Sequence, residues 1–288
     1  MSKVAIITDS SSGITQEQTN EHLFVVPMPF LIDEEEYYEG INLSKDKFYE
    51  KLLNDCKIST SQPSFDEVTS IWDKALQTHD EIVYIPISSS LSESCNASTF
   101  YANESYKNKV FVVNNQRVSI VQKSSVYEAL NLAKQGKSAK EIHDYLTKTK
   151  DDNSIYIMVP TLKYLKKGGR ITAAAAAIGT LLSIKPILQI HGGKLDSYAK
   201  VMNINQAKTR MIAAIKKDIE TSFSHIDKNK LVLSIAHTNN LELAEKFKEE
   251  IQKEFPDLKI LYNDELALII ACHIGPGSLA IAVTRYEE

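Results

Sequence analysis

Val4-Ala5-Ile6-Ile7-Thr8-Asp9-Ser10-Ser11-Ser12-Gly13 decides how the rest of the chain is read: an apolar, β-branched run stops abruptly in a small polar loop. A buried strand that empties into such a loop is the opening of an α/β unit. The pattern recurs downstream. Glu81–Ile87 empties into Ser88-Ser89-Ser90-Leu91-Ser92, and Lys109–Val113 and Ile155–Val159 are further strand candidates. Helical spacing fills the intervals at 44–54, 64–78, 117–135 and 138–149. Ser64 with Glu67 three residues later forms a capping box. Alternating strand, polar loop and helix predict a mostly parallel sheet flanked by helices over residues 1–160.

Beyond residue 160 the pattern changes. Leu162–Lys167 reads as a short helix stopped by Gly168-Gly169. Thr172–Ser183 is a small-residue helix. Pro186–Ile190 and Leu195–Val201 flank His191-Gly192-Gly193-Lys194, a hairpin pattern. A long amphipathic helix over 205–221 follows, then a strand at 231–236, a helix at 241–254 and a strand at 259–262. This predicts an α+β unit over 161–288. Leu266–Thr284 holds 19 residues without a formal charge, close to the length of a membrane span. Gly275-Pro276-Gly277 interrupts it, so it reads as two buried elements joined by a turn.

A length of 288 residues corresponds to about two domains. The 43% hydrophobic and 24% charged content excludes a largely disordered or fibrous chain. A net charge of −4 offers no footprint for nucleic acid or an anionic membrane. Cys56, Cys95 and Cys272 are odd in number and scattered, which predicts a reducing cytoplasm and neither a disulfide framework nor a metal site. The N-terminal apolar run is too short for a signal peptide. The common glycine-rich nucleotide motifs and the G-x-S-x-G nucleophile elbow do not occur.

Hydroxyl-rich loops remain: Ser10-Ser11-Ser12, Thr60-Ser61 and Ser88-Ser89-Ser90-Leu91-Ser92. At the carboxyl ends of parallel strands, hydroxyls and helix N-terminal N–H groups make an anion site without formal positive charge. Helix N-capping explains the same residues one loop at a time. His273 lies in an apolar run, where a satisfied core histidine is the simpler account and a neutral donor or acceptor the functional one. Lys163, Lys166, Lys167 and Arg170 share a helical face, either solvated or placed to meet a phosphate or a partner.

Thr8-Asp9-Ser10-Ser11, Thr60-Ser61-Gln62-Pro63-Ser64, Ile87-Ser88-Ser89-Ser90-Leu91-Ser92, Gly168-Gly169-Arg170-Ile171, Lys185-Pro186-Ile187 and His273-Ile274-Gly275-Pro276-Gly277 together resemble the DegV family, whose characterised members are the fatty-acid-binding subunits of bacterial fatty acid kinase. The resemblance treats about residues 3–285 as one unit. It implies an α/β N-terminal domain and an α+β C-terminal domain with a long-chain fatty acid, such as palmitate, in a tunnel between them. It further implies carboxylate binding by Thr60, Ser92 and His273, with Ser89 of the same serine loop grouped with them, and a place for Arg170 near an acyl phosphate or a docking surface. The implied partner is a separate ATP-dependent kinase subunit. The chain itself is then expected to be a cytoplasmic carrier, not an enzyme, without metal or cofactor. The alternatives are a phosphotransferase or phosphorylated-metabolite binder, and a lipid sensor that docks no kinase. One departure stands out: Glu93-Ser94-Cys95 follows Ser92 where the family usually has Gly. Glu93 either brings negative charge to the carboxylate site or points outward at a helix start.

Overall fold

A computed structural model describes residues 2–54, 56–169 and 184–287. The helix expected at 172–183 and Arg170 lie outside the described residues.

Strands β1 (Val4–Asp9), β2 (Leu23–Val26), β6 (Glu81–Ile85) and β7 (Val110–Val112) form a fully parallel sheet in the order β2-β1-β6-β7. Successive side chains of a strand face opposite ways, and β1 shows the consequence. Val4 and Ile6 pack with Val126, Ile142 and Leu146 of the helices Ser119–Lys134 and Ala139–Lys148. Ala5 and Ile7 pack with Val68 and Trp72 of the helix Phe65–Leu76 on the other face. A sheet buried on both faces accounts for the unbroken apolar run in the sequence.

The apolar run at 24–32 divides between two sheets. Pro27 and Pro29 lack the N–H a ladder needs, so β2 ends at Val26 and β3 (Phe30–Ile32) joins β4 (Glu35–Tyr37) and β5 (Ile58–Thr60) in a small antiparallel sheet, order β4-β3-β5. This third sheet is absent from the sequence reading, and it carries Thr60.

Among the described residues the C-terminal sheet has six strands in the order β10-β9-β8-β13-β11-β12: β8 (Asn153–Met158), β9 (Lys185–His191), β10 (Lys194–Val201), β11 (Leu231–His237), β12 (Lys259–Glu265) and β13 (Leu279–Arg285). Only the β11–β12 pair is parallel, joined through the helix Leu241–Glu254; β9 and β10 form the hairpin at Gly192-Gly193. β8 lies in the middle of this sheet, so its strands begin before residue 160; alternation marks a strand but not the sheet it joins. One face packs on the helices Ile204–Glu220 and Leu241–Glu254 through Met211, Ile215, Phe247 and Ile251. The opposite face presents Ile155, Ile157, Ala236, Ala280 and Ala282 to the N-terminal half. The uncharged segment resolves into the short helix Leu268–Ile274 and β13. Among the described residues no helix is long and apolar enough to cross a membrane.

Asp9 ties the N-terminal edge together. Its buried carboxylate accepts hydrogen bonds from the Ser11 N–H and hydroxyl, from Gln122 Nε2 (3.2 Å) and from the Ile87 N–H (2.8 Å). Burial pushes its pKa up against these donors. Asp9→Ala would strand several buried donors, with an expected loss of about 2–4 kcal/mol in urea unfolding; a loss within error of zero would show that these bonds are not needed to hold the loops.

Candidate functional site

Between the C-terminal sheet and the N-terminal half lies a cavity of about 900 Å³ of atom-free space, its open mouth included. The centre of a water molecule fits in only about 100 Å³ of it, so the space is a narrow channel rather than a wide chamber. Its floor includes Ile155 and Ile157 of β8, Ala236 of β11 and Ala280 of β13; Ile269 and Ile270 line it from the 268–274 helix. Register places Ala280 opposite Ile157. Alanine at these positions leaves open the volume a branched side chain would fill. No Asp, Glu, Lys or Arg lines the cavity among the described residues.

The polar part of the lining is Thr60, Ser61, Ser92, Ser119 and His273. Thr60 closes β5 and His273 lies in the last turn of the 268–274 helix, yet Thr60 Oγ1 and His273 Nε2 are hydrogen-bonded at 2.9 Å. Both ends of that helix are tied to the segment around the small sheet, because Glu39 accepts from the Leu268 N–H at 2.7 Å. Gly168 packs directly against the imidazole: a Cβ there would stand 2.2 Å from His273 Nδ1.

The serine loops divide by use. Ser11 and Ser12 are buried, and the hydroxyls at 10–12 serve Asp9, Gln122 and the Met28 N–H, so none lines the cavity. Ser88 donates to the Gly193 carbonyl at the hairpin turn (3.3 Å). The structure does not bring Ser89 to the cavity; its hydroxyl accepts from Asn114 Nδ2 at 2.7 Å. Ser92 does line the cavity, and its oxygen accepts from the Ser94 N–H (3.2 Å), which leaves the hydroxyl proton for an acceptor. Glu93 has φ −70° and ψ −6°, ordinary right-handed backbone that needs no glycine. It is exposed, accepts from Asn96 Nδ2 at 2.9 Å and sits at the start of the helix Ser94–Ser105, where its charge suits the dipole. Of the two outcomes open for Glu93, the outward one is observed. Lys163, Lys166 and Lys167 are exposed, while Leu165 of the same helix reaches the cavity.

Ser119, Ala236 and Ala280 line the cavity without being singled out by any motif in the sequence. Ser119 opens the 119–134 helix with φ +59°, a strained conformation for a non-glycine residue; nothing in the sequence marks it. Ala280 has a signal in Leu279-Ala280-Ile281-Ala282-Val283, large and small in strict alternation; Ala236 has none of this kind.

The family model described as uncharacterised protein, DegV family, matches residues 3–285. A DegV domain-containing protein of Clostridium perfringens is 30% identical over 98% of this chain and 97% of its own length. Among solved structures, a fatty acid binding DegV family protein of Streptococcus agalactiae superposes with a TM-score of 0.86 at 27% identity, covering 100% of both chains. DegV of Bacillus subtilis, described as a fatty acid binding protein, gives 0.84 at 26%, over 99% of this chain and 100% of that one.

Proposed function

The chain belongs to the DegV family, and on that premise we propose that it binds one long-chain fatty acid in the inter-sheet channel and presents the carboxylate to a separate ATP-dependent kinase subunit. The observation that carries the reading is the channel itself: narrow, apolar, without Asp, Glu, Lys or Arg among its described lining residues, and furnished with a hydrogen-bonded Thr60–His273 pair and Ser92. The fatty acids bound by the Streptococcus and Bacillus relatives support it.

The energetics suit a hydroxyl-based head-group site. Burying an acyl tail contributes about 0.8 kcal/mol per methylene, so about 14 methylenes give roughly 11 kcal/mol before association costs. Affinity therefore needs no lysine or arginine clamp. Thr60, Ser92 and His273 then orient the acid by hydrogen bonds and leave an oxygen able to attack a phosphoryl group. In this reading Ser89 only supports the loop, and Arg170 meets the acyl phosphate or the kinase. The protein acts as a cytoplasmic carrier, and phosphoryl transfer is the partner's chemistry. An apolar wall and a first serine loop occupied internally favour an acyl chain over a phosphorylated metabolite.

Thr60→Ala and Ser92→Ala are each expected to weaken binding of a long-chain acid about tenfold while leaving binding of the matching fatty alcohol nearly unchanged, as read by displacement of a fluorescent acyl probe. An unchanged preference for acid over alcohol would remove these residues from the head-group site. Acyl phosphate trapped with hydroxylamine, when kinase subunit and ATP are added to the loaded carrier, tests the transfer step. Arg170→Ala is expected to lower that yield without emptying the channel.

A further inference from the structure

A second cleft opens on the other side of the same strand ends. It offers about 410 Å³ to the centres of water molecules and is polar where the first is greasy. Ala236 lines the acyl channel and His237 the second cleft; Leu266 lines the channel and Glu265 the cleft. The cleft lies at the carboxyl ends of β11 and β12, the one parallel pair of the C-terminal sheet, where crevices in α/β structures take ligands. Gly13, Gln18, Lys45 and Lys123 close it from the N-terminal half.

Three independent features point to the ligand. First, His237 is 4% exposed, and its Nδ1 accepts the Asn240 N–H at 3.3 Å. The ring proton therefore sits on Nε2, for which the described residues supply no partner, and burial keeps the ring neutral. Second, the 14-residue helix Leu241–Glu254 starts at the cleft without a side-chain cap, because Asn240 Nδ2 donates to the Gly277 carbonyl. Third, three of the four carboxylate oxygens of Asp264 and Glu265 are occupied, by Lys123 (2.7 Å), Lys45 (3.2 Å) and the Asn239 N–H (3.1 Å). Each lysine has three donors, so donors outnumber the oxygens of Asp264 and Glu265 that they meet, with Glu39 3.9 Å from Lys45 and Asn263 Oδ1 an unpaired acceptor in the same lining. Such a surface takes an acceptor-rich group of low charge.

We propose that this cleft is a binding site for a small oxyanion, held by His237 Nε2–H, the first-turn N–H groups after Asn240, and the ammonium groups of Lys45 and Lys123. It is separate from the acyl channel and does not depend on what fills that channel.

The test is two-dimensional NMR of the full chain at pH 7 and constant ionic strength, titrated with inorganic phosphate and separately with acetate, with sodium chloride as control. Saturable shifts of the His237 imidazole and the 239–241 amides are expected. A response to phosphate alone assigns a phosphate-bearing ligand, to acetate alone a carboxylate, and to both a site for either. Lys45→Met, at a half-exposed position, is expected to weaken the response about tenfold, and His237→Phe to abolish it. Shifts no larger than those with chloride, or shifts that Lys45→Met leaves unchanged, would overturn the proposal.

Discussion

Ala280→Leu is expected to weaken acyl binding at least fifty-fold without unfolding the protein. Ala280 sits on β13 with its side chain in the channel wall, opposite Ile157. Three added carbons would enter space that belongs to the ligand rather than to a packed core. Displacing about three methylenes of acyl burial costs about 2.4 kcal/mol, or at least fifty-fold in affinity. The same carbons, buried against Ile157 and its neighbours, add to the stability of the delipidated protein. The two effects have opposite signs, which separates this substitution from ordinary core damage, where overpacking lowers stability by about 1–3 kcal/mol. Calorimetric titration with a long-chain acid and thermal unfolding of delipidated samples read both. Full binding by a folded Ala280→Leu protein would place the acyl chain elsewhere.

Gly275→Ala is expected to cost about 3 kcal/mol or more. Gly275 follows the helix that carries His273, with φ +72° and ψ 176°, a region open almost only to glycine. Its Cα also lies against Tyr164: an added Cβ would stand 2.1 Å from the ring. Backbone strain and collision therefore act together. The Gly275 carbonyl accepts from the Thr238 hydroxyl at 2.6 Å, so a shift at 275 disturbs the neighbouring β11 turn as well. Urea unfolding should show the loss, and weaker acid binding should accompany it, because His273 is two residues away. A variant as stable as the parent would mean that the turn relaxes freely.

Much of the fold is legible because strand and helix periods differ. β1, the hairpin around Gly192-Gly193 and the 241–254 helix lie where the pattern places them. Sheet membership is not legible, since period-2 alternation is the same in any sheet. For that reason β8 reads with the first unit, and the small sheet carrying Thr60 goes unseen. The site shows the same division. Thr60 and His273 stand 213 positions apart and meet at 2.9 Å; only a whole-chain resemblance links them, never spacing. The serine loops look alike in sequence, but the 10–12 hydroxyls support the fold while Ser92 faces the channel. Whether a hydroxyl serves the backbone or a ligand depends on the neighbours that tertiary structure brings. Ala280 alternates visibly with its larger neighbours, yet the side it faces is set by a sheet register the sequence does not display.

Native mass spectrometry of the purified full chain, before delipidation and after re-addition of a long-chain acid, tests the acyl channel most directly. One fatty acid per chain, removable by delipidation and restored on re-addition, is the result this account predicts. A protein that carries no acid when purified and takes none up when it is supplied would contradict it.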